Sequence, residues 1–216
     1  ESPKAFGKIT IPSTIKFKDC EYTVTDICDN AFKDSQIIAL TFLPDSKVYR
    51  INDFAFENSK LQNLFLPASL IELGKYWCGG ASKLLHVEVD EKNNHFQNIG
   101  RILYHINQIP NENTNLINYE LLFVPRDYPI ELIIRPNVSK IGSFALYNCF
   151  GIKKIKYKTN MIDIDEYSFS CLSKLSCIEF ECNELFIGNF SFASCESLSS
   201  ISFQNLLNAN IGMSTF

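Results

Sequence analysis

The apolar positions of this chain recur with a period of about 23 residues. Each unit opens with an aliphatic anchor, carries a small residue and an aromatic residue four and five positions later, and ends in apolar residues that alternate as in a strand. In the copy that opens at Ile187, Ser191 and Phe192 follow the anchor, and Ile201 and Phe203 alternate in the strand. A fixed period of this size predicts a solenoid, because each unit must bury its apolar face against its neighbours.

Six anchors and one incomplete copy define the repeats. The anchors are separated by 24, 22, 68, 23 and 23 residues, and because 68 is close to three pitches, we expect the middle gap to keep the stacking register. Residues 1–216 are therefore predicted to form a single solenoid. The anchors are Ile27, Ile51, Leu73, Ile141, Ile164 and Ile187, and the partial copy begins at Ile211.

Residues 90–135 depart from the short repeat. Two apolar runs, 99–104 and 119–124, flank an Asn-rich stretch at 107–118, which predicts two strands joined by an excursion within a longer repeat or insertion. The stretch 107–118 is predicted to protrude as a loop. The chain starts without a methionine or a signal peptide and stops inside a repeat. We therefore expect it to be a piece of a longer protein, and the piece itself lacks an export signal and an anchor.

Each unit is predicted to be one coil of strand, turn, short helical or 3₁₀ segment, and turn. The strands form a parallel sheet on the concave side, and the aromatic residues fill the convex side as a buried column. The fold class is thus a β-rich α/β solenoid. The column is predicted to contain Phe32, Phe56, Phe169 and Phe192.

The repeat resembles the BspA-like leucine-rich repeat, which reads roughly I-G-x-x-A-F-x-x-C-x-x-L-x-x-I-x-I-P. Gly188, Phe192 and Cys195 fit this pattern, and Pro67 stands at its final proline. The resemblance covers nearly the whole chain and implies a leucine-rich-repeat solenoid that acts as a protein-interaction module. Because the family contains surface proteins of mucosal protists and bacteria, it also implies a cell-surface or secreted adhesin that binds host cells, host surface proteins or matrix proteins.

Two other functions compete with adhesion. An intracellular leucine-rich-repeat scaffold would have the same fold, and reduced cysteines and unused glycosylation sites would favour it. An enzyme is the second alternative, and an activity that depends on His86 would be its evidence. The sequence has no His-Glu-x-x-His motif, no Gly-rich phosphate loop and no Gly-x-Ser-x-Gly motif, so we expect neither catalysis nor a cofactor.

The candidate binding residues are those predicted to point outward from the concave strands. Phe65 is the first candidate, because a large aromatic on a solvated sheet face is typical of an interface anchor; the alternative is that flanking chain covers it. His86 and Glu88 share a strand face, but two ligands do not make a metal site. Cross-strand neighbours Lys156 and Glu179 are expected to neutralise each other. The complete set is Phe65, His86, Glu88, Lys154, Lys156 and Glu179.

Charge and cysteine content narrow the partners further. A net charge of −4 does not favour nucleic acid or an acidic lipid surface as a partner. The sequence contains no run of 18 apolar residues, so we do not expect membrane contact. Cys149 and Cys195 share one repeat position and are expected to be buried free thiols. Three further cysteines are close enough in sequence for one bridge: Cys171, Cys177 and Cys182.

Two glycosylation sequons are present. They begin at Asn137 and Asn189, and both are predicted to lie near turns. Glycosylation at either position is allowed if the chain is secreted.

Overall fold

The chain folds into two compact units, residues 1–101 and residues 102–216. The computed structural model describes residues 5–108 and 117–216, so residues 109–116 of the predicted loop lie outside the described part of the chain. Among the described residues, no helix is long and apolar enough to cross a membrane.

The first unit contains two parallel sheets and a small hairpin. Strands β1, β5, β7 and β9 form the first parallel sheet, strands β4, β6 and β8 form the second, and β2 pairs antiparallel with β3. The strands are β1 Phe6–Ile11, β2 Thr14–Phe17, β3 Cys20–Thr23, β4 Asp26–Ile27, β5 Gln36–Phe42, β6 Arg50–Ile51, β7 Asn63–Leu66, β8 Glu72–Leu73, β9 His86–Val89 and β10 Phe96–Ile99.

The second unit repeats this plan, with longer strands in its second sheet. Strands β13, β15, β17 and β19 form the first parallel sheet, and β12, β14, β16, β18 and β20 pair in parallel in the second. The strands are β11 Ile102–Gln108, β12 Ile117–Phe123, β13 Glu131–Ile134, β14 Val138–Ile141, β15 Lys154–Lys158, β16 Met161–Ile164, β17 Cys177–Glu181, β18 Glu184–Ile187, β19 Ser200–Gln204 and β20 Asn208–Ile211.

Each coil therefore has two strands, where the sequence predicted one. A short strand ends on the anchor residue, and a turn then leads to the strand of the concave sheet. Ile155, Ile178 and Ile201 are in register across β15, β17 and β19, so the pitch is 23 residues. The predicted leucine-rich-repeat solenoid with a parallel concave sheet is confirmed.

The irregular middle of the sequence forms an antiparallel pair followed by an ordinary coil. Strands β11 and β12, which contain most of the two apolar runs, pair antiparallel. Leu121 of β12 is in parallel register with the anchor Ile141, so this coil stacks on the next one. Strand β13 completes the coil, with Leu132 and Ile134 buried in the same way as the later strands.

The convex segments are turns, and the predicted helical or 3₁₀ segments are wrong in this detail. In the coils that follow the six anchors, the residues three and seven positions after the anchor have a left-handed backbone; Tyr167 and Cys171, for example, have φ of 57° and 61°. Three residues between two left-handed positions cannot continue as a helix. Alternate N–H groups of the turn bind the next coil instead: Tyr167 donates to the carbonyl oxygen of Asn189 at 3.1 Å, and Phe169 donates to that of Ser191 at 2.9 Å.

Glycine after the anchor is explained by close approach of neighbouring coils. A Cβ atom on Gly188 would lie 2.7 Å from the backbone nitrogen of Glu166 in the preceding coil. No other residue fits there without a shift of the backbone.

The predicted aromatic column is present in both units. Phe32 stacks on Phe56 with ring centroids 5.5 Å apart, and Phe169 stacks on Phe192 at 5.0 Å. Phe56, Phe169 and Phe192 are buried, whereas Phe32 is half-buried at the end of its stack.

The alternating apolar residues at the ends of the concave strands are expected to face the core, and most of them do. Leu66, Tyr157 and Phe180 are buried and Val89 is half-buried. Phe203 is 40% exposed, which corrects its predicted burial, because only one face of its ring is covered, by Phe180 at 5.7 Å.

Candidate functional site

Three candidate residues lie together on the first sheet of the first unit. Phe65 of β7 is directly opposite Glu88 of β9, and Asn63 is opposite His86 in the same register. Leu64 and Leu66 point into the core, so Phe65 between them is directed outward and is half-buried. His86 and Glu88 are exposed. The structure thus places an aromatic ring next to two polar side chains on one sheet face, as the sequence predicted.

A small cavity adjoins the polar part of this face. It has a volume of about 230 Å³ and is lined by His86, Glu88, Asn98 and Arg101, among others. The side-chain amide of Asn98 donates to the carbonyl oxygen of Val87 at 3.0 Å, which anchors β10 against β9. The cavity therefore presents the positive Arg101, the negative Glu88 and the neutral amide of Asn98 on the polar side of Phe65.

The other three candidates lie on the first sheet of the second unit. Lys154 is in register with Cys177, and Lys156 with Glu179. All three charged side chains are partly exposed. They form their own group and belong to a different sheet from Phe65, His86 and Glu88.

The ion pairs in this group differ from the predicted one. Lys156 and Glu179 are opposite in register, but Nζ of Lys156 bonds Oε1 of Glu131 at 2.9 Å, and Glu179 pairs with Lys154. The bond from Lys156 lowers the pKa of the Glu131 carboxyl, and the bond from Glu179 raises the pKa of Lys154. The lysines are therefore neutralised diagonally across neighbouring strands.

The sequence reading missed the strand that supplies Glu131. That strand also presents Ile133, which is 65% exposed on the same face. Both residues fall in the stretch that was set aside as irregular. The alternation of Leu132 and Ile134 followed by Pro136 matches the strand-proline pattern of the other repeats and could have identified it.

The cysteines are free thiols throughout the described residues, which include all eight. Cys149 is buried and its thiol donates to the carbonyl oxygen of Val124 at 3.4 Å. Cys195 is only partly buried, which corrects its predicted burial, and its thiol donates to the carbonyl oxygen of Phe169 at 3.1 Å. Burial raises the pKa of the Cys195 thiol to about 11. These thiols act as small packing groups that also satisfy a backbone carbonyl.

The two sequon asparagines have different surroundings. Nδ2 of Asn137 donates to the carbonyl oxygen of Ile117 at 2.9 Å. Asn189 bridges two neighbours: its Nδ2 donates to Glu166 at 3.1 Å, and its Oδ1 accepts the backbone N–H of Met213 at 2.8 Å. A glycan at Asn189 would disturb contacts between coils.

Metal-binding geometry is not found in the described ranges. Within residues 5–108 and 117–216, no group of three or more His, Cys, Asp and Glu side chains is placed to hold a metal ion. His86 and Glu88 remain two isolated candidate ligands.

The repeat geometry agrees with a comparison against known families. The sequence profile of the BspA-type leucine-rich repeat region matches residues 2–117 and 128–216, in six copies. The chain belongs to the BspA-type leucine-rich-repeat family. This family membership supports a protein-interaction module as the general function of the chain. No curated protein matches the chain in sequence.

Solved structures of leucine-rich proteins have the same fold at low sequence identity. A leucine-rich cell surface protein from Faecalibacterium prausnitzii is 15% identical, with a TM-score of 0.57 over 93% of this chain and 60% of its own. A leucine-rich repeat protein from Eubacterium ventriosum is 17% identical, with a TM-score of 0.56 over 90% of this chain and 66% of its own. The chain thus spans 60% to 66% of the length of these two proteins.

Proposed function

We propose that this chain is part of a non-enzymatic adhesin, located at the cell surface or secreted, which binds a host protein through the concave sheet of its first unit. The observation that carries the proposal is the outward, half-buried Phe65 directly opposite the exposed Glu88. Binding hot spots are enriched in aromatic side chains that can be fully desolvated in a complex. Polar groups such as His86 and Glu88 then fix the orientation of the partner.

The charged residues of the second unit have a smaller role in the proposed binding. They already pair with each other: Lys156 with Glu131, Lys154 with Glu179, and Lys158 with Glu181. A partner that binds there must compete with these pairs, and exposed pairs of this kind contribute little affinity.

Family membership and the cell surface relative support the location in the proposal. We further propose that residues 1–216 form one solenoid, that the chain needs no cofactor or metal, and that nucleic acid and membrane lipid are not partners. Asn137 and Asn189 stay the proposed glycosylation sites, and Asn137 is the more accommodating of the two because its side chain makes a single bond.

An intracellular scaffold is the second candidate. The observation that favours it is that all eight cysteines are free thiols, as expected in a reducing compartment. The two functions differ in where the protein is found, and staining of intact cells with an antibody against this chain separates them.

The adhesin proposal is tested by attachment of the fluorescently labelled chain to cultured epithelial cells. Phe65→Ala should weaken attachment tenfold or more, which corresponds to a loss of about 1.4 kcal/mol. Lys156→Ala is the matched control and should change attachment little. If Phe65→Ala attaches normally and replacement of residues 109–116 by glycine and serine abolishes attachment, the loop binds the partner and the concave-face proposal is wrong.

A further inference from the structure

Asparagines recur at one turn of the second unit, directly before strands β14, β16 and β18. Asn137, Asn160 and Asn183 are 23 residues apart, which equals the pitch of the repeat. The backbone N–H of Asn183 donates to the carbonyl oxygen of Asn160 at 2.9 Å, so these two backbones stack directly. Their side chains therefore leave successive coils about 4.8 Å apart, as a row of carboxamides.

A groove runs along this row. Its volume is about 630 Å³, within the range of roughly 300–1,000 Å³ that is typical of small-molecule sites. Asn137, Asn160 and Asn183 line it together with the hydroxyl groups of Ser139 and Thr159. Hydrogen-bonding groups thus line the groove over several coils.

The fold does not account for the last two asparagines of the row, Asn160 and Asn183. The backbone of this turn is already satisfied by the neighbouring coil: Leu207 donates to the carbonyl oxygen of Asn183 at 2.8 Å. Asn160 and Asn183 are not among the left-handed residues, unlike Asn205, whose φ of 62° explains an asparagine there. The side chains of Asn160 and Asn183 are exposed. Their carboxamides are therefore available to a ligand.

Charge and apolar surface narrow the ligand class. The charged groups of the groove, Lys158 and Glu181, bond each other at 2.6 Å, so the groove has no net charge to attract an anion or a cation. Pro136 and Met161 supply apolar surface, and Met161 is 45% exposed. The groove therefore suits a neutral molecule that has many hydroxyl groups and also an apolar face.

We propose that this groove binds a neutral oligosaccharide. A carboxamide presents a donor and an acceptor side by side, which matches two adjacent hydroxyl groups of a sugar ring. A row of carboxamides with the pitch of the coils can contact consecutive sugars of one chain. An extended peptide fits less well, because it binds by pairing with a free strand edge, and the N–H groups of this turn already bind neighbouring coils.

The proposal is independent of protein binding through Phe65, since it uses other residues. It is tested with the chain produced in bacteria, so that Asn137 is unmodified. A glycan array that carries both neutral glycoprotein-type glycans and neutral microbial and plant oligosaccharides identifies the class and its source. Titration of the best glycan should shift the side-chain NH₂ resonances of Asn160 and Asn183, while those of the exposed Asn210 on β20 should stay in place.

Substitution gives the second arm of the experiment. Asn160→Ala combined with Asn183→Ala should weaken glycan binding at least tenfold, and Asn210→Ala, the matched control, should leave it unchanged. Phe65→Ala should also leave it unchanged. The proposal is overturned if no neutral glycan binds, if a bound glycan shifts neither side-chain resonance, or if the array selects charged glycans alone.

Discussion

Tyr167 shows how single residues build the turns of this solenoid. Its φ of 57° lies in the left-handed region, which costs an L-residue about 1–2 kcal/mol. Its ring stacks on Phe144 at 5.1 Å and on Phe190 at 5.0 Å, and such contacts contribute about 0.5–1.5 kcal/mol each. A second aromatic column, outside the predicted one, thus offsets the backbone strain.

This backbone position allows a test with two substitutions at one site. Tyr167→Gly and Tyr167→Ala both remove the stacked ring, but only glycine relieves the left-handed strain. Chemical denaturation should therefore show Tyr167→Gly to be more stable than Tyr167→Ala by about 1 kcal/mol. In a helix the order reverses, because glycine is about 1 kcal/mol worse than alanine there, and that order would disprove the turn.

The cysteines differ in their expected reactivity. The thiolate is the reactive form, so a raised pKa and burial both slow alkylation of Cys195. At pH 8, iodoacetamide should label the exposed Cys20 and Cys28 first, the partly buried Cys195 more slowly, and Cys149 only after unfolding. Mass spectrometry of the labelled peptides over time measures this order. Labelling of Cys149 as fast as that of Cys20 would contradict its burial.

At the scale of the element, the coil is held by its aromatic position as much as by its strands. Phe169 is fully buried, stacks on Phe192, and donates its backbone N–H to the next coil. One residue therefore links two coils through both its side chain and its backbone.

Removal of this ring should be costly. Phe169→Ala should lower the free energy of unfolding by about 3–5 kcal/mol, because it leaves a cavity between coils. Phe150→Ala in the same unit is the control: Phe150 is 46% exposed, and the change should stay within about 0.5 kcal/mol. Equal losses for both variants in urea unfolding would argue against the buried column.

The concave strands of the second unit are linked by ion pairs that a pH titration can resolve. Lys156 holds the pKa of Glu131 below its ordinary value. The pair therefore stabilises the fold fully above the ordinary pKa of a glutamate, and this stabilisation is lost as the pH falls from there through the lowered pKa. Lys156→Ala should raise the pKa of Glu131 toward the ordinary value. Lys158→Ala should not, since Lys158 pairs with Glu181. Carboxyl ¹³C chemical shifts follow both titrations.

At the scale of the whole molecule, the features that recur in every repeat are the ones that the sequence predicts. The 23-residue pitch, the inward pair of each strand and the aromatic column follow from apolar periodicity, because stacked coils must bury the same positions. Phe65, His86 and Glu88 were found for the same reason: they alternate with the buried residues of β7 and β9.

Features that depend on backbone conformation or on irregular sequence were not predictable in this way. A small residue followed by an aromatic one fits a short helix or a turn equally well, so the left-handed positions gave no signal. The diagonal pairing of Lys156 depends on Glu131, which lies outside the regular repeats. The row of Asn137, Asn160 and Asn183 was not recognised in the sequence, because asparagine is common in turns and a single one does not indicate a binding site.

Backbone hydrogen bonds in the turns bind each coil to the next, and this stacking holds the candidate residues in register on the concave sheets. Scalar couplings across hydrogen bonds, measured by NMR on deuterated protein, test it most directly. We predict couplings from the Phe169 amide to the Ser191 carbonyl and from the Cys171 amide to the Ala193 carbonyl, whose N···O distances are 2.9 Å and 2.8 Å. A coupling from the Phe169 amide to the Asp165 carbonyl, four residues earlier, would show a helix and contradict the account.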